Sequence, residues 1–180
     1  MTALRAKPTR ASKTTVLIVG EGPTEKAFLQ FIKELYIMRD ADIVVKVECG
    51  SGGAPCSVVQ RAIRLRGSRA YDKCFVLFDA DLPLETDGKL KHRMKKKPSV
   101  GILNATPCIE GLFLAILRYP NFSQKSATSD NCKREFEASY LSAEKKMDKR
   151  AYASHFSKEV LDRIRKDITE LDAILKAMQM

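Results

Sequence analysis

The stretch Thr14 to Phe28, TTVLIVGEGPTEKAF, constrains this chain more than any other. Thr15 and the run Val16 to Val19 are β-branched or apolar, and they end in Gly-Glu-Gly-Pro. A short apolar run closed by glycine reads as a buried strand. A helical pattern begins at once, and Pro23 suits its first position, where a missing N–H costs nothing. Glu21 therefore stands at a strand-to-helix corner, between Gly20 and Gly22. In open α/β sheets, chemistry gathers outside the carboxyl ends of the strands.

The following residues extend this pattern. Phe28, Phe31, Ile32, Leu35 and Tyr36 recur at helical spacing and make one apolar face. Ile43 to Val47 is a β-branched second strand, followed by the loop Gly50, Ser51, Gly52, Gly53. Pro55 opens a second helix over Cys56 to Leu65, which Gly67 and Ser68 end. Lys73 to Phe78 is a third strand that runs directly into Asp79. Continuous apolar strands with short links in β-α-β-α-β order form a parallel sheet covered on both faces. Right-handed crossovers then bring Glu21, the glycine loop, Asp79 and Asp81 to one edge.

Val100 to Leu103 reads as a fourth strand, and Glu110 precedes an apolar helix through Leu117. Helices over Cys132 to Leu141 and about Ser157 to Met178 follow. The last carries Val160, Leu161, Ile164, Ile168, Leu171, Leu175 and Met178 on one stripe, to pack on the sheet or on a twin subunit. The expected fold is α/β: a Rossmann-like, mostly parallel sheet of about four strands flanked by helices. A flexible basic tail (1–13) is expected to precede an α/β domain (14–120), and a helical extension (121–180) to pack on it.

Charge narrows the class of partner. There are 32 Lys and Arg against 22 acids, a formal charge of +10, which favours a polyanion, nucleic acid first. No apolar run reaches the length of a membrane span, and the basic start lacks the apolar core of a secretory signal. Five cysteines without a CxxC pair describe neither a disulfide framework nor, with only His92 and His155 in different contexts, a zinc site. A reducing, cytoplasmic setting is expected.

Asp79 and Asp81 are two apart, which on a continuing strand puts both carboxylates on one side, roughly 6–7 Å apart at the backbone. Like charges that close call for a cation, and magnesium takes one or two carboxylates plus phosphate oxygens. The alternative is a solvated loop that happens to carry two acids. Glu25, in the first turn of its helix, reads either as a further ligand or as an acid placed by the helix dipole. The same two readings apply to Glu110. After the turn signal Asp87-Gly88 comes a dense basic run, Lys89, Lys91, Arg93, Lys95, Lys96 and Lys97. It reads as a track for a nucleic-acid backbone or as a solvated lysine loop. The glycine loop reads as a phosphate cradle at a helix start or as simple turn geometry.

Glu21-Gly22-x-Thr24-Glu25 after one strand and Phe78-Asp79-Ala80-Asp81 after another resemble the TOPRIM fold of topoisomerases, primases and OLD-family nucleases. Ser51-Gly52-Gly53-Ala54-Pro55 and Pro107-Cys108-Ile109-Glu110 make the chain similar, more closely, to the RloB-like group. One departure is Gly111, where many such chains carry an aromatic residue. The resemblance implies a metal-dependent nuclease of anti-phage or restriction loci. Asp79 and Asp81 would bind Mg2+ (or Mn2+), Glu21 would act as general acid or base, and Glu25 would be the added acid of OLD-like nucleases. The substrate would be RNA or DNA. Two alternatives accompany it: a non-catalytic nucleic-acid-binding module, or an effector that needs a partner ATPase. A homodimer through the C-terminal stripe is a further expectation.

Overall fold

The computed structural model describes residues 13–50 and 52–180. The expected basic tail, apart from Lys13, and Ser51 of the glycine loop lie outside the described residues. Four strands, β1 (Thr14–Gly20), β2 (Ile43–Cys49), β3 (Lys73–Asp79) and β4 (Val100–Ala105), form one sheet in the order β2-β1-β3-β4. Every pairing is parallel. The chain crosses through α1 (Pro23–Tyr36), α2 (Pro55–Ser68) and α3 (Gly88–Lys95). Next come α4 (Ile109–Ile116), α5 (Ser129–Ser139), short turns over Lys145–Met147 and Lys149–Ser154, α6 (Lys158–Ile164) and α7 (Thr169–Ala177).

Strand pleating sorts the core into two layers. Val16 and Ile18 of β1 meet α1, α4 and the C-terminal helices, whereas Leu17 and Val19 meet α2 and Leu90 of α3. The first layer is built on aromatic rings: Phe28 lies 4.7 Å from Phe113 and 5.4 Å from Tyr152, centroid to centroid. Leu161, Ile164, Ile168, Leu171, Leu175 and Met178 are buried in that same layer. The C-terminal stripe is thus covered by its own chain, so it offers no face to a twin subunit. Among the described residues, no helix is long and apolar enough to cross a membrane.

Two expectations about elements are corrected. The single helix over Ser157 to Met178 is two, because the chain turns at Arg165–Ile168. Asp167, Ile168 and Thr169 are weak helix formers, and the turn still lets Ile164, Ile168 and Leu171 reach the core. The basic segment is a helix and not a lysine loop. The Asp87 carboxylate caps it by accepting from the Leu90 N–H at 2.6 Å, and Leu90 anchors it. With Leu90 and Met94 as its only apolar side chains, α3 carries too weak a periodic signal to be read.

Candidate active site

Strand order reverses direction between β1 and β3, and the carboxyl ends at such a point are where open α/β sheets place their chemistry. Glu21 closes β1 there, and Asp79 ends β3 beside it. The Glu21 N–H donates to the Leu77 carbonyl at 2.9 Å, and the Asp79 N–H donates to Glu21 Oε2 at 3.2 Å. Gly20 is required at this corner, since a Cβ there would sit 2.7 Å from Glu25 Cβ.

Asp79 Oδ1 accepts from the Ile109 N–H at the start of α4, at 2.9 Å. Asp81 is not on the strand. β3 stops at Asp79, and the next two residues turn, with their N–H groups on the carbonyls of Ala105 and Pro107. The Asp81 carboxylate accepts from Ser129 Oγ at 2.6 Å, so it is held by α5 and not by strand pleating. Glu25 is buried with its Oε2 accepting from the Gly22 N–H at 2.7 Å, which is the capping role. Glu110 is 2% exposed, in the first turn of α4. Gly111 follows it because a Cβ would meet Pro107 Cδ at 2.6 Å, leaving no room for an aromatic residue.

Five carboxylates thus lie around one edge, and burial acts on three of them, Glu21, Glu25 and Asp79. Asp79 is pushed up to about 8 by burial first, then by the charges of Glu25 and Glu21, with Glu110 adding to them against the Ile109 N–H. Glu21 is raised by burial, with the Asp79 N–H opposing and the Asp81 charge adding. Glu25 is raised by burial, with Glu110 and Glu21 contributing. A site that drives its acids toward protonation is short of positive charge.

Two lysines that the sequence did not single out answer part of that shortage. Lys146 Nζ lies 2.6 Å from both Glu110 and Glu137, at 12% side-chain exposure. Tyr152 fixes the segment through its hydroxyl, which donates to the Lys146 carbonyl at 2.7 Å. Among the described residues, Glu110 Oε2 is buried without a hydrogen-bond partner. Lys133 is one helical turn beyond Ser129 on α5, hence on the side that meets Asp81. Burial pulls its ammonium down, but Glu110, Asp79 and Asp81 outweigh that and raise it. Only the fold brings Lys133, Lys146 and Ser129 here, so no local pattern marks them.

Two N–H groups of the glycine loop are engaged by the Glu21 corner. The Gly50 N–H donates to the Gly20 carbonyl at 2.7 Å, and the Gly52 N–H to the Glu21 carbonyl at 2.9 Å. Gly52 and Gly53 take φ of 74° and 103°, a region that favours glycine. Gly50 and Gly52 thereby tie the end of β2 to the Glu21 corner. The basic run departs: α3 leads from this edge toward the start of β4, at the opposite edge of a parallel sheet. Lys95, Lys96 and Lys97 are therefore not beside the carboxylates.

Among the described residues, no group of three or more His, Cys, Asp and Glu side chains is gathered tightly enough to hold a metal ion. The donor chemistry nevertheless fits a hard cation. Among the described residues, Glu21 Oε1, Asp79 Oδ2 and Asp81 Oδ1 have no hydrogen-bond partner, while the second oxygen of each is held by an N–H or O–H. No curated protein and no solved structure matches this chain. The family model described as RloB-like protein matches residues 16–180, from the middle of β1 to the last residue. The chain belongs to the RloB-like protein family.

Proposed function

We propose that this chain is a divalent-metal-dependent phosphodiesterase acting on RNA or DNA, centred on Glu21, Asp79 and Asp81. The observation that carries the reading is Asp79: a carboxyl at a strand reversal point, pushed up to about 8 by burial and by neighbouring acids. Such an accumulation of buried like charge is relieved by a cation as well as by a proton. Asp79, Asp81 and Glu21 would hold Mg2+ or Mn2+, with Glu25 at the border of the set because one of its oxygens already serves Gly22. When bound, the cation supplies charge neutralisation, polarises a phosphate and lowers the pKa of water.

The remaining steps belong to the chain's own groups. Glu21, steadied by the Asp79 N–H, takes the proton of the attacking water. Lys133, on the α5 side that meets Asp81, contacts the non-bridging phosphate oxygens and offsets the charge that develops there. Lys146 holds Glu110 in place and balances its charge. The family membership and the basic composition support a nucleic-acid substrate, and a role in restricting foreign nucleic acid is part of the same proposal.

The test is cleavage of labelled tRNA, single-stranded RNA and plasmid DNA with Mg2+ or Mn2+, and with chelator. Glu21→Gln is expected to lower the rate by about 10²–10⁴-fold while the fold stays intact. Cleavage that survives chelator, or a Glu21→Gln variant as active as its parent, overturns the reading. Activity that appears only with a co-expressed ATPase favours the effector alternative.

A further inference from the structure

The far end of the basic segment lies at the opposite edge of the sheet from the carboxylates. Lys97 and Lys73 line one cleft of about 560 Å³, with Tyr71 and Pro98. Lys73 opens β3 and Asp79 closes it, so at strand rise the two ends are about 20 Å apart. The helix between them is pinned. Arg66 of α2 donates through Nη1 to the carbonyls of Lys96 at 2.9 Å and Pro98 at 2.6 Å, and through Nη2 to that of Arg93 at 3.0 Å. A guanidinium on these carbonyls also complements the helix dipole.

Lys89, Lys91, Arg93, Lys95, Lys96 and Lys97 are all exposed, and none forms an ion pair among the described residues. Arg64 of α2 and Arg69 just after it are also exposed. The acid in the cleft, Asp72, is engaged: its carboxylate accepts from the Thr15 N–H at 2.7 Å and the Thr15 hydroxyl at 2.8 Å. Neither α2 nor α3 contains Phe, Tyr or Trp, and the aromatic side chains of this face, Tyr71 and Phe75, line the cleft at its far end. The cations of α3 stand on two flanks of a pinned helix, Lys89 with Arg93 and Lys91 with Lys95, a fixed array of charge that suits the phosphates of a double helix.

We infer that the α2–α3 face is a track for the backbone of double-helical nucleic acid, gripping it about 20 Å from the carboxylate edge. At about 3.4 Å per base pair this is about six base pairs away from the reacting bond. The placement of that bond rests on the phosphodiesterase reading; the track itself does not. Short duplexes reach one end of the face, and longer ones reach both.

Binding is measured by fluorescence anisotropy in chelator, on the Glu21→Gln background, over a salt series. The probes are hairpins with 4 and with 20 base pairs and a single strand of matching length. Lys95→Gln/Lys96→Gln/Lys97→Gln is expected to reduce the salt slope on the 20-base-pair hairpin by about 2–3 and to remove most of its advantage in affinity over the 4-base-pair hairpin. The control, Arg163→Gln/Lys166→Gln, alters two exposed cations next to or on α6, across the sheet. Equal losses in the control and the triple variant, an unaffected triple variant, or single strand or anionic lipid vesicles bound as tightly as the long hairpin each overturn the inference. No cleavage enters this measurement. A chain that tracks duplex but cuts nothing therefore overturns the phosphodiesterase reading alone.

Discussion

Asp79 concentrates the chemistry of the site in one residue. Its folded value of about 8 lies above its ordinary 3.8, so the folded chain binds the proton more tightly. The stability it contributes is complete below the ordinary value and is lost as pH rises through about 8. Glu21 and Glu25 are raised too and act with the same sign. Without divalent metal, the melting temperature is expected to fall between pH 6 and pH 9, and Asp79→Asn to flatten that fall. At pH 9 the variant should melt a few degrees higher, as about 1 kcal/mol moves a chain of this size by ~2–4 °C. Thermal melts at the two pH values check this, and an unchanged fall in the variant assigns it to other groups. Lys146 offers a second test. Lys146→Met leaves Glu110 as an unbalanced buried charge and should cost about 3–5 kcal/mol in urea unfolding. Lys146→Met/Glu110→Gln should recover most of it. Glu21, Asp79 and Asp81 were legible in sequence because each follows an apolar strand run. Lys146, Lys133 and Ser129 were not, because they reach the site through tertiary packing.

Helix α3 makes the corresponding case for elements. Its start is marked by Asp87-Gly88, yet its path is set by Arg66, which comes earlier in the chain on α2. Arg66→Ala should free the carbonyls of Arg93, Lys96 and Pro98 at a cost of about 1.5–3 kcal/mol. Trypsin should then cut after Lys95 and Lys96 sooner than in the parent, which a proteolysis time course resolves. An unchanged time course would mean that Leu90 alone holds the helix. The strands were easier to read: β1, β2 and β3 each carry a run of apolar or β-branched residues between turn signals. The break between α6 and α7 was hidden because the apolar stripe keeps its helical spacing across it, and spacing does not register a turn that preserves burial.

For the whole molecule, the C-terminal segment is part of the core and not a separate body. Removal of residues 158–180 would strip Leu161, Ile164, Leu171, Leu175 and Met178 from the layer that holds Phe28 and Phe113. The truncated chain is expected to lose its cooperative thermal transition, and a sharp melt in circular dichroism would refute this. The sequence by itself determined a parallel α/β sheet, the Glu21 corner and the Asp79 strand end, because strand periodicity, glycine corners and proline helix starts are local physics. Tertiary structure alone decided the rest. It placed β1 next to β3, so that Glu21 and Asp79 touch. It turned Asp81 to α5 and set Lys146 and Lys133 against the acids. It also carried Lys95 to Lys97 to the far edge, because a parallel fourth strand must start there. These are long-range outcomes of burying both faces of one sheet, and they leave no periodic trace along the chain.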